Sequence, residues 1–370
     1  MKPLAILHTE SSLGWGGQEI RILSESQGFL ARGHKVLLAC PPQARICEEA
    51  KNWGVPIIEL PIAKKRPIGV KALVGLLKAR PVDVVCTHSS TDTWLAALAL
   101  LLLGRPVPLV RLRHISAPVP RNPLSRWLYG RATARIVTTG EALKRQLAEQ
   151  NGIPAERMDS VPTGIDAARF RPGDRAGARA RLDLRQDRIL VGIVATLRSW
   201  KGHRDLIEAL AGLDERIALV IVGEGPMRDV LEADVKERGL DSRVTFAGNQ
   251  ADVLPWLQAL DIFALPSYAN EGVPQALVQA MLVGLPCVTT HVGSIAELAL
   301  HEHTALVVPP RDPAALRRAL ERLIADEPLR KRLGEAARAH CAAKYSYETM
   351  LDRMETIFRQ VADDAEAKAR

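Results

Sequence analysis

Arg198 and Lys201 stand close together in ATLRSWKGHRDL (195–206), between an apolar run and an amphipathic stretch. Arginine offers a planar fork of donors and lysine a point charge, so two fixed cations at a strand's carboxyl end are placed to grip a diphosphate. A second stretch, NEGVPQALVQAM (270–281), offers complementary chemistry. Glu271, in its loop, can accept hydrogen bonds from sugar hydroxyls. Pro274 is expected in the first helical turn, where its missing N–H costs nothing. The N–H groups of Gly272, Val273 and Gln275 around that helix start can point at an anion. A third stretch, TESSLGWGGQE (9–19), carries Gly14, Gly16 and Gly17, which allow close approach of backbone to ligand ahead of a helix N-terminus. It is not a dinucleotide fingerprint: the spacing is GxGG, and strand two ends in Cys40-Pro41-Pro42 where a ribose-binding acid would stand. Taken singly, these stretches also read as solvated surface cations and a glycine-rich turn.

What must position these residues is a set of strands. Short apolar runs alternate with amphipathic ones: 4–8, 35–40, 82–88, 107–114 and 134–139 read as strands, with helical patterns such as 18–33 between them. DRAGARARLDLRQDR (174–188) has no apolar rhythm and reads as a linker. The alternation then restarts, with strands expected at 188–196, 217–223, 243–248, 261–267, 286–290 and 304–309. Two runs of alternating strand and helix predict an α/β protein with two doubly wound, Rossmann-like parallel sheets. The expected division is 1–170, a linker 171–187, a second domain 188–345, and a C-terminal helix 346–370 packing back on the N-terminal domain. Ligands of such sheets bind beyond the carboxyl ends of the strands, so the chemistry is expected in the loops after strands, in a cleft between the domains. His88 also ends a strand (CTHSS); a satisfied structural histidine fits it as well.

The chain of 370 residues is long enough for two domains. Its five cysteines are scattered without CxxC spacing, which suggests buried reduced thiols and neither a disulfide framework nor a zinc site. The N-terminus lacks a signal-peptide pattern. The longest apolar run, WLAALALLLL (94–103), is too short to span a bilayer and fits a buried helix. A cytoplasmic protein is expected, peripheral on the inner face of the cytoplasmic membrane if something docks it there. Of the net charge of +8, residues 1–150 hold 21 Lys/Arg against 10 Asp/Glu, and the excess lies almost wholly between 51 and 135. That asymmetry suggests an anionic partner. Aromatics are only 4% of the chain and no nucleic-acid motif occurs, so a membrane surface or anionic acceptor fits better than nucleic acid. A solvated basic face is the bland alternative.

Taken together, GWGGQE (14–19), VPTGIDAARFRP (161–172), LRSWKG (197–202), VGEGP (222–226), NEGVPQALVQAM (270–281) and LVVPPRDPAAL (306–316) resemble the retaining glycosyltransferases of family 4, with the GT-B fold. The resemblance covers nearly the whole chain and is strongest from about 160 to 325. It implies transfer of a sugar from a nucleotide donor, by default UDP, to a hydroxyl, with retention and with no metal or other cofactor required. A glycolipid or oligosaccharide acceptor is expected, a lipopolysaccharide-like one favoured. Gly16 and Gly17 match the glycines near the donor phosphates and acceptor. His114, in RLRHIS, matches the histidine that contacts the transferred sugar. Glu271 matches the first acid of the family's pair, on the donor sugar. Gln279 stands where the second acid binds the ribose diol, an amide replacing an acid. Arg198 and Lys201 take the place of a metal; no DxD-type motif ends a strand, and Asp363-Asp364 lies in the tail. Glu19 and His88 are acceptor-side candidates, although Glu19 also reads as a helix N-terminal acid favoured by the dipole. Glu297 resembles a loop residue near the base and phosphates. Two other readings stay open: a GT-B nucleotide-sugar epimerase, and a non-catalytic sugar-nucleotide-binding partner of another transferase.

Overall fold

The structure is a computed structural model that describes residues 2–104, 107–114, 119–269 and 271–369. It falls into two compact units. One is formed by Met1–Thr163 with Glu348–Arg370, the other by Gly164–Tyr347. Asn270 of the NEGVPQALVQAM loop lies outside the described residues.

The first unit is built on strands β1 (Ala5–Thr9), β2 (Lys35–Cys40), β3 (Ile57–Glu59), β4 (Val84–Thr87), β5 (Leu109–Arg113), β6 (Arg135–Thr138) and β7 (Met158–Ser160). They form one parallel sheet in the order β3-β2-β1-β4-β5-β6-β7. Strands buried on both faces read as continuous apolar runs, which is why they show in the sequence. Each face has its own apolar cluster. Leu38 and Cys40 pack with Ile22 and Leu23 of the helix Gly17–Ala31. Leu7, Ala39 and Val85 pack with Leu73 and Leu95 of the helices Pro67–Ala79 and Ser90–Leu103. The last helix, Tyr347–Ala369, joins this unit from Glu348 on. Its Phe358 meets Phe29 and His8, and Arg32 binds Glu348, Asp352 and Glu355.

The second unit holds β8 (Ile189–Val194), β9 (Ile217–Val222), β10 (Val244–Gly248), β11 (Ile262–Leu265), β12 (Cys287–Thr289) and β13 (Leu306–Val307), parallel in the order β10-β9-β8-β11-β12-β13. Two parallel-sheet α/β units of this kind meet the architecture expected from the sequence. The stretch expected to be a linker belongs to this unit and carries a helix, Arg175–Arg181. It shows no apolar rhythm because its two buried residues are Ala178 and an arginine, Arg179. Arg179 is buried, donating to the carbonyls of Ala259, Gln186 and Arg188 and to the Asp261 carboxylate.

Two other expectations are corrected here. The helix Ser90–Leu103 buries Leu95, Ala96, Ala99 and Leu100, but Leu101 and Leu102 are 63% and 72% exposed. The basic excess between 51 and 135 is not all surface charge. Arg111 and Arg113 are buried, donating to the Ser89 carbonyl and the Tyr129 hydroxyl. All five cysteines are free and buried.

Candidate active site

In the second unit the strand order reverses between β8 and β11. Loops leaving the two strands diverge there, and such a switch point is where parallel sheets bind ligands. The loop after β8 holds Arg198 and Lys201, and the loop after β11 holds Glu271. Lys201 Nζ lies 2.6 Å from Glu271 Oε1, with the carboxylate side chain 5% exposed and the lysine 20%. An ammonium has three donors, so one bond to Glu271 leaves two for an anionic ligand. Two close backbone approaches fix this pair. Gly202 ends the Ser199–Lys201 turn at φ 76°, and a Cβ there would sit 2.1 Å from the Pro266 carbonyl oxygen. Gly293, at φ 59°, passes equally close to the carbonyl oxygen of Glu271. Only glycine serves at either place. The Tyr268 N–H donates to the Trp200 carbonyl at 2.8 Å, tying the two loops together.

Arg198 is exposed, its guanidinium 5.7 Å from the centroid of the Trp200 ring. A third cation was missed from the sequence. Arg311 lies over the Tyr268 ring at 4.1 Å and holds a left-handed φ of 57°, uncommon outside glycine. The signal available was its place in LVVPPRDPAAL, after β13. Pro274 is not in the first helical turn as expected but is the N-cap of the helix Gln275–Val283. Gly272 and Val273 therefore precede the cap, and Gln275 opens the helix. Gln279 lies one turn further on, half-buried. Glu297 sits on the short helix Ile295–Leu298. His203 is buried, and burial together with Lys201 pushes its pKa down to about 4, which keeps it neutral.

In the first unit the order reverses between β1 and β4. Gly16 and His88 lie in the loops after these strands, Gly17 and Glu19 stand in the first turn of the helix that follows β1, and His114 follows β5. Gly16 is the N-cap of the helix Gly17–Ala31, in extended backbone, and a Cβ there would meet nothing closer than Glu19 at 3.9 Å. Glycine at Gly16 thus answers no local crowding; it leaves space over the helix end. Glu19 is buried, its carboxyl held above the usual range by burial, against bonds from its own and the Gly16 backbone and from Ser12. The structure brings His88 and His114 together, with His88 Nδ1 3.1 Å from His114 Nε2. It adds His8 of β1, whose Nδ1 lies 2.9 Å from His88 Nε2. His8 was not singled out in the sequence, because a histidine inside an apolar strand reads as core.

Glu10 was also missed. It follows β1 directly and is fully buried, accepting from the Ser12 N–H at 2.7 Å and from the Gln18 side chain. Burial, with Asp92 and Glu19 nearby, raises its pKa to about 8. Perturbed carboxyls gather at functional sites, and this one has a consequence for stability. An acid whose folded pKa is raised binds more protons folded than unfolded between the two pKa values. Its contribution is therefore intact below about 4.5 and is lost as the pH rises towards about 8. Glu10→Gln should remove that dependence. Wild-type stability should fall more steeply than the variant's between pH 5.5 and 7.5, by up to ~1.4 kcal/mol per pH unit. Denaturant titrations of both proteins across this range check it; parallel curves would show that Glu10 titrates normally.

Comparison with known proteins supplies the class. The profile of "Glycosyltransferase Family 4" matches residues 15–169, and that of "Glycosyl transferases group 1" matches residues 174–340. The GDP-mannose-dependent alpha-(1-6)-phosphatidylinositol monomannoside mannosyltransferase of Mycobacterium tuberculosis is 31% identical over 320 residues, 78% of this chain and 82% of the relative. A solved glycosyltransferase from Rickettsia africae superposes with a TM-score of 0.88 at 19% identity, covering 98% of this chain and 99% of its own. Anabaena Alr3699/HepE in complex with UDP-glucose gives 0.85 at 22% identity, with 98% and 100% covered. The chain belongs to the family 4 glycosyltransferases and has the GT-B fold. It is a glycosyltransferase that works with a nucleotide-sugar donor.

Proposed function

We propose that this chain is a retaining, metal-independent glycosyltransferase that moves a sugar from a UDP-sugar to a hydroxyl of a glycolipid or polysaccharide precursor. The observation that carries this reading is the Lys201–Glu271 pair at the β8/β11 switch point. The departing nucleotide takes the charge of a diphosphate with it, and preorganised cations stabilise such charge as it develops. Lys201 and Arg198 fill that role. Glu271, held by Lys201, accepts from hydroxyls of the transferred sugar. Gln279 meets the ribose, Gly16 and Gly17 leave room for phosphates, and His114 contacts the sugar. The HepE complex with UDP-glucose supports UDP, while the mannosyltransferase relative is named for GDP-mannose. A thermal-shift panel of UDP, GDP, ADP and their sugars in the presence of a chelator decides, because a ligand that binds only the folded form raises the melting temperature. UDP and UDP-glucose should give the largest shifts. No shift with any nucleotide, or shifts only after a divalent metal is added, would overturn the reading.

The acceptor is proposed to be presented at an anionic membrane. The mannosyltransferase relative is named for a phosphatidylinositol glycolipid. In this chain Ile68, Leu101, Leu102 and Leu124 are each more than half exposed, in the same part of the sequence as the exposed Lys64, Lys65, Arg66, Lys71, Arg126 and Arg131. Apolar side chains among basic ones suit a lipid interface. Among the described residues no helix is long and apolar enough to cross a membrane. Sedimentation with acidic vesicles should exceed that with neutral ones and weaken with salt, as exposed charges are screened beyond ~8–10 Å. Equal partitioning to both would leave a solvated basic face.

A further inference from the structure

We infer that His88 and His8 are positioning residues that hold His114 in a single tautomer, its proton on Nδ1, through a one-way chain of imidazole hydrogen bonds. The importance of that tautomer rests on the proposed role of His114 against the transferred sugar.

The geometry is that of a relay of in-plane bonds. His8 Nδ1 meets His88 Nε2 at 2.9 Å, and His88 Nδ1 meets His114 Nε2 at 3.1 Å. The ring centroids are 5.2 and 5.4 Å apart, with interplanar angles of 25° and 31°. Those separations exceed the nitrogen distances by little more than two ring radii, so the nitrogens lie on the line joining the rings, where their lone pairs and N–H bonds point. The His88 backbone is itself pinned, its N–H donating to Asp92 Oδ2 at 2.9 Å, and Asp92 also accepts from Thr9.

Burial keeps all three rings neutral. A neutral imidazole has one N–H and one lone pair. With two bonds linking three rings, all donors must point the same way along the chain, and only two directions exist. The unpartnered ring nitrogen of His8 selects between them. His8 Nε2, at the inner end of the chain, has no hydrogen-bond partner among the described groups. An orphaned buried N–H there is the less favourable choice, so Nε2 is the bare lone pair. His8 then donates from Nδ1 to His88, and His88 donates from Nδ1 to Nε2 of His114. The outer ring is left with its proton on Nδ1, available to an oxygen of a ligand. An isolated imidazole side chain in water prefers the opposite tautomer, so the chain does something His114 could not do alone. Cys86 Sγ lies within 4.8 Å of the His8 and His88 nitrogens. Burial pushes that thiol well above its usual range, away from the thiolate a metal would take, so the hydrogen-bonded chain is the arrangement argued.

The test uses the full chain with 15N-labelled histidines, the nine resonance pairs being assigned by single substitutions. In wild type, His114 should show a protonated Nδ1 and a bare Nε2. A protonated Nε2 overturns the inference outright, with no need for a variant to fold. His88→Asn places an amide N–H where Nδ1 stood and should preserve the His114 tautomer. His88→Leu offers no donor and should let His114 return to the Nε2–H form that an isolated imidazole prefers. Release of UDP from UDP-glucose gives the functional readout. The rate should fall roughly 10²-fold or more in the Leu variant at unchanged KM, as expected when a catalytic imidazole is held in the wrong tautomer, and stay within a few-fold in the Asn variant. Equal loss in Asn and Leu would refute the positioning role. The tautomer is read on the free protein, so it stands or falls independently of whether the proposed transfer occurs.

Discussion

Lys201→Ala is expected to lower turnover of the nucleotide-sugar donor by roughly 10²–10³-fold, the loss that follows removal of one preorganised donor to a developing anion. The structure adds a second expected effect. Lys201 is the partner of a carboxylate that is 5% exposed, so alanine leaves Glu271 buried without its counter-charge. Removing one member of a buried pair costs far more than the pair itself contributes. With the lysine partly exposed, about 1–3 kcal/mol of stability is expected to go. The two effects separate in a double variant. Lys201→Met combined with Glu271→Gln removes both charges and should recover most of the stability while remaining inactive. Denaturant unfolding and initial rates on the same three proteins check this. Near-normal turnover in Lys201→Ala would remove Lys201 from the diphosphate site, whatever happens to stability.

The contrast between those effects shows what could be read in the sequence. Most strands of both sheets were legible because a strand buried on both faces carries few polar residues. The exceptions, Ile57–Glu59 and Met158–Ser160, are only three residues long, and each carries an acid. Arg198, Lys201 and Glu271 were legible because strand ends mark where a parallel sheet binds ligands. Their pairing was not, since Lys201 and Glu271 are 70 positions apart and meet only through the strand order β8-β11. The imidazole chain was hidden for the same reason: His8 and His88 are 80 positions apart. Charge counting failed where arginines are buried. Arg111, Arg113 and Arg179 donate to carbonyls, a hydroxyl and a carboxylate, and no composition reveals that.

Replacement of Glu271 by Gln is expected to abolish most transfer, by roughly 10²-fold or more, while changes at Gln279 should be mild. The asymmetry follows from what each side chain is bonded to. Glu271 is buried and charged, and its bond to Lys201 at 2.6 Å is charge-assisted. An amide there would accept from the sugar less strongly, since charge assistance roughly doubles such a bond, and it would release the ammonium from its preorganised place. Stabilisation aimed at the transition state is lost twice, so kcat should fall more than donor affinity. Gln279 lies half-buried on the helix Gln275–Val283 and carries no charge. Its amide accepts with oxygen and donates with nitrogen, so it can serve both hydroxyls of a ribose if one of them turns acceptor. It adds no negative charge beside the diphosphate. Gln279→Glu should therefore remain active, with donor affinity changed by about 1 kcal/mol in either direction, comparable to the net contribution of one hydrogen bond. Donor titrations and initial rates for Glu271→Gln, Gln279→Glu and Gln279→Ala against wild type measure both halves. Wild-type behaviour in Gln279→Ala would make Gln279 a solvated helix residue with no part in holding the ribose, and substantial turnover in Glu271→Gln would move the sugar-binding role to another side chain.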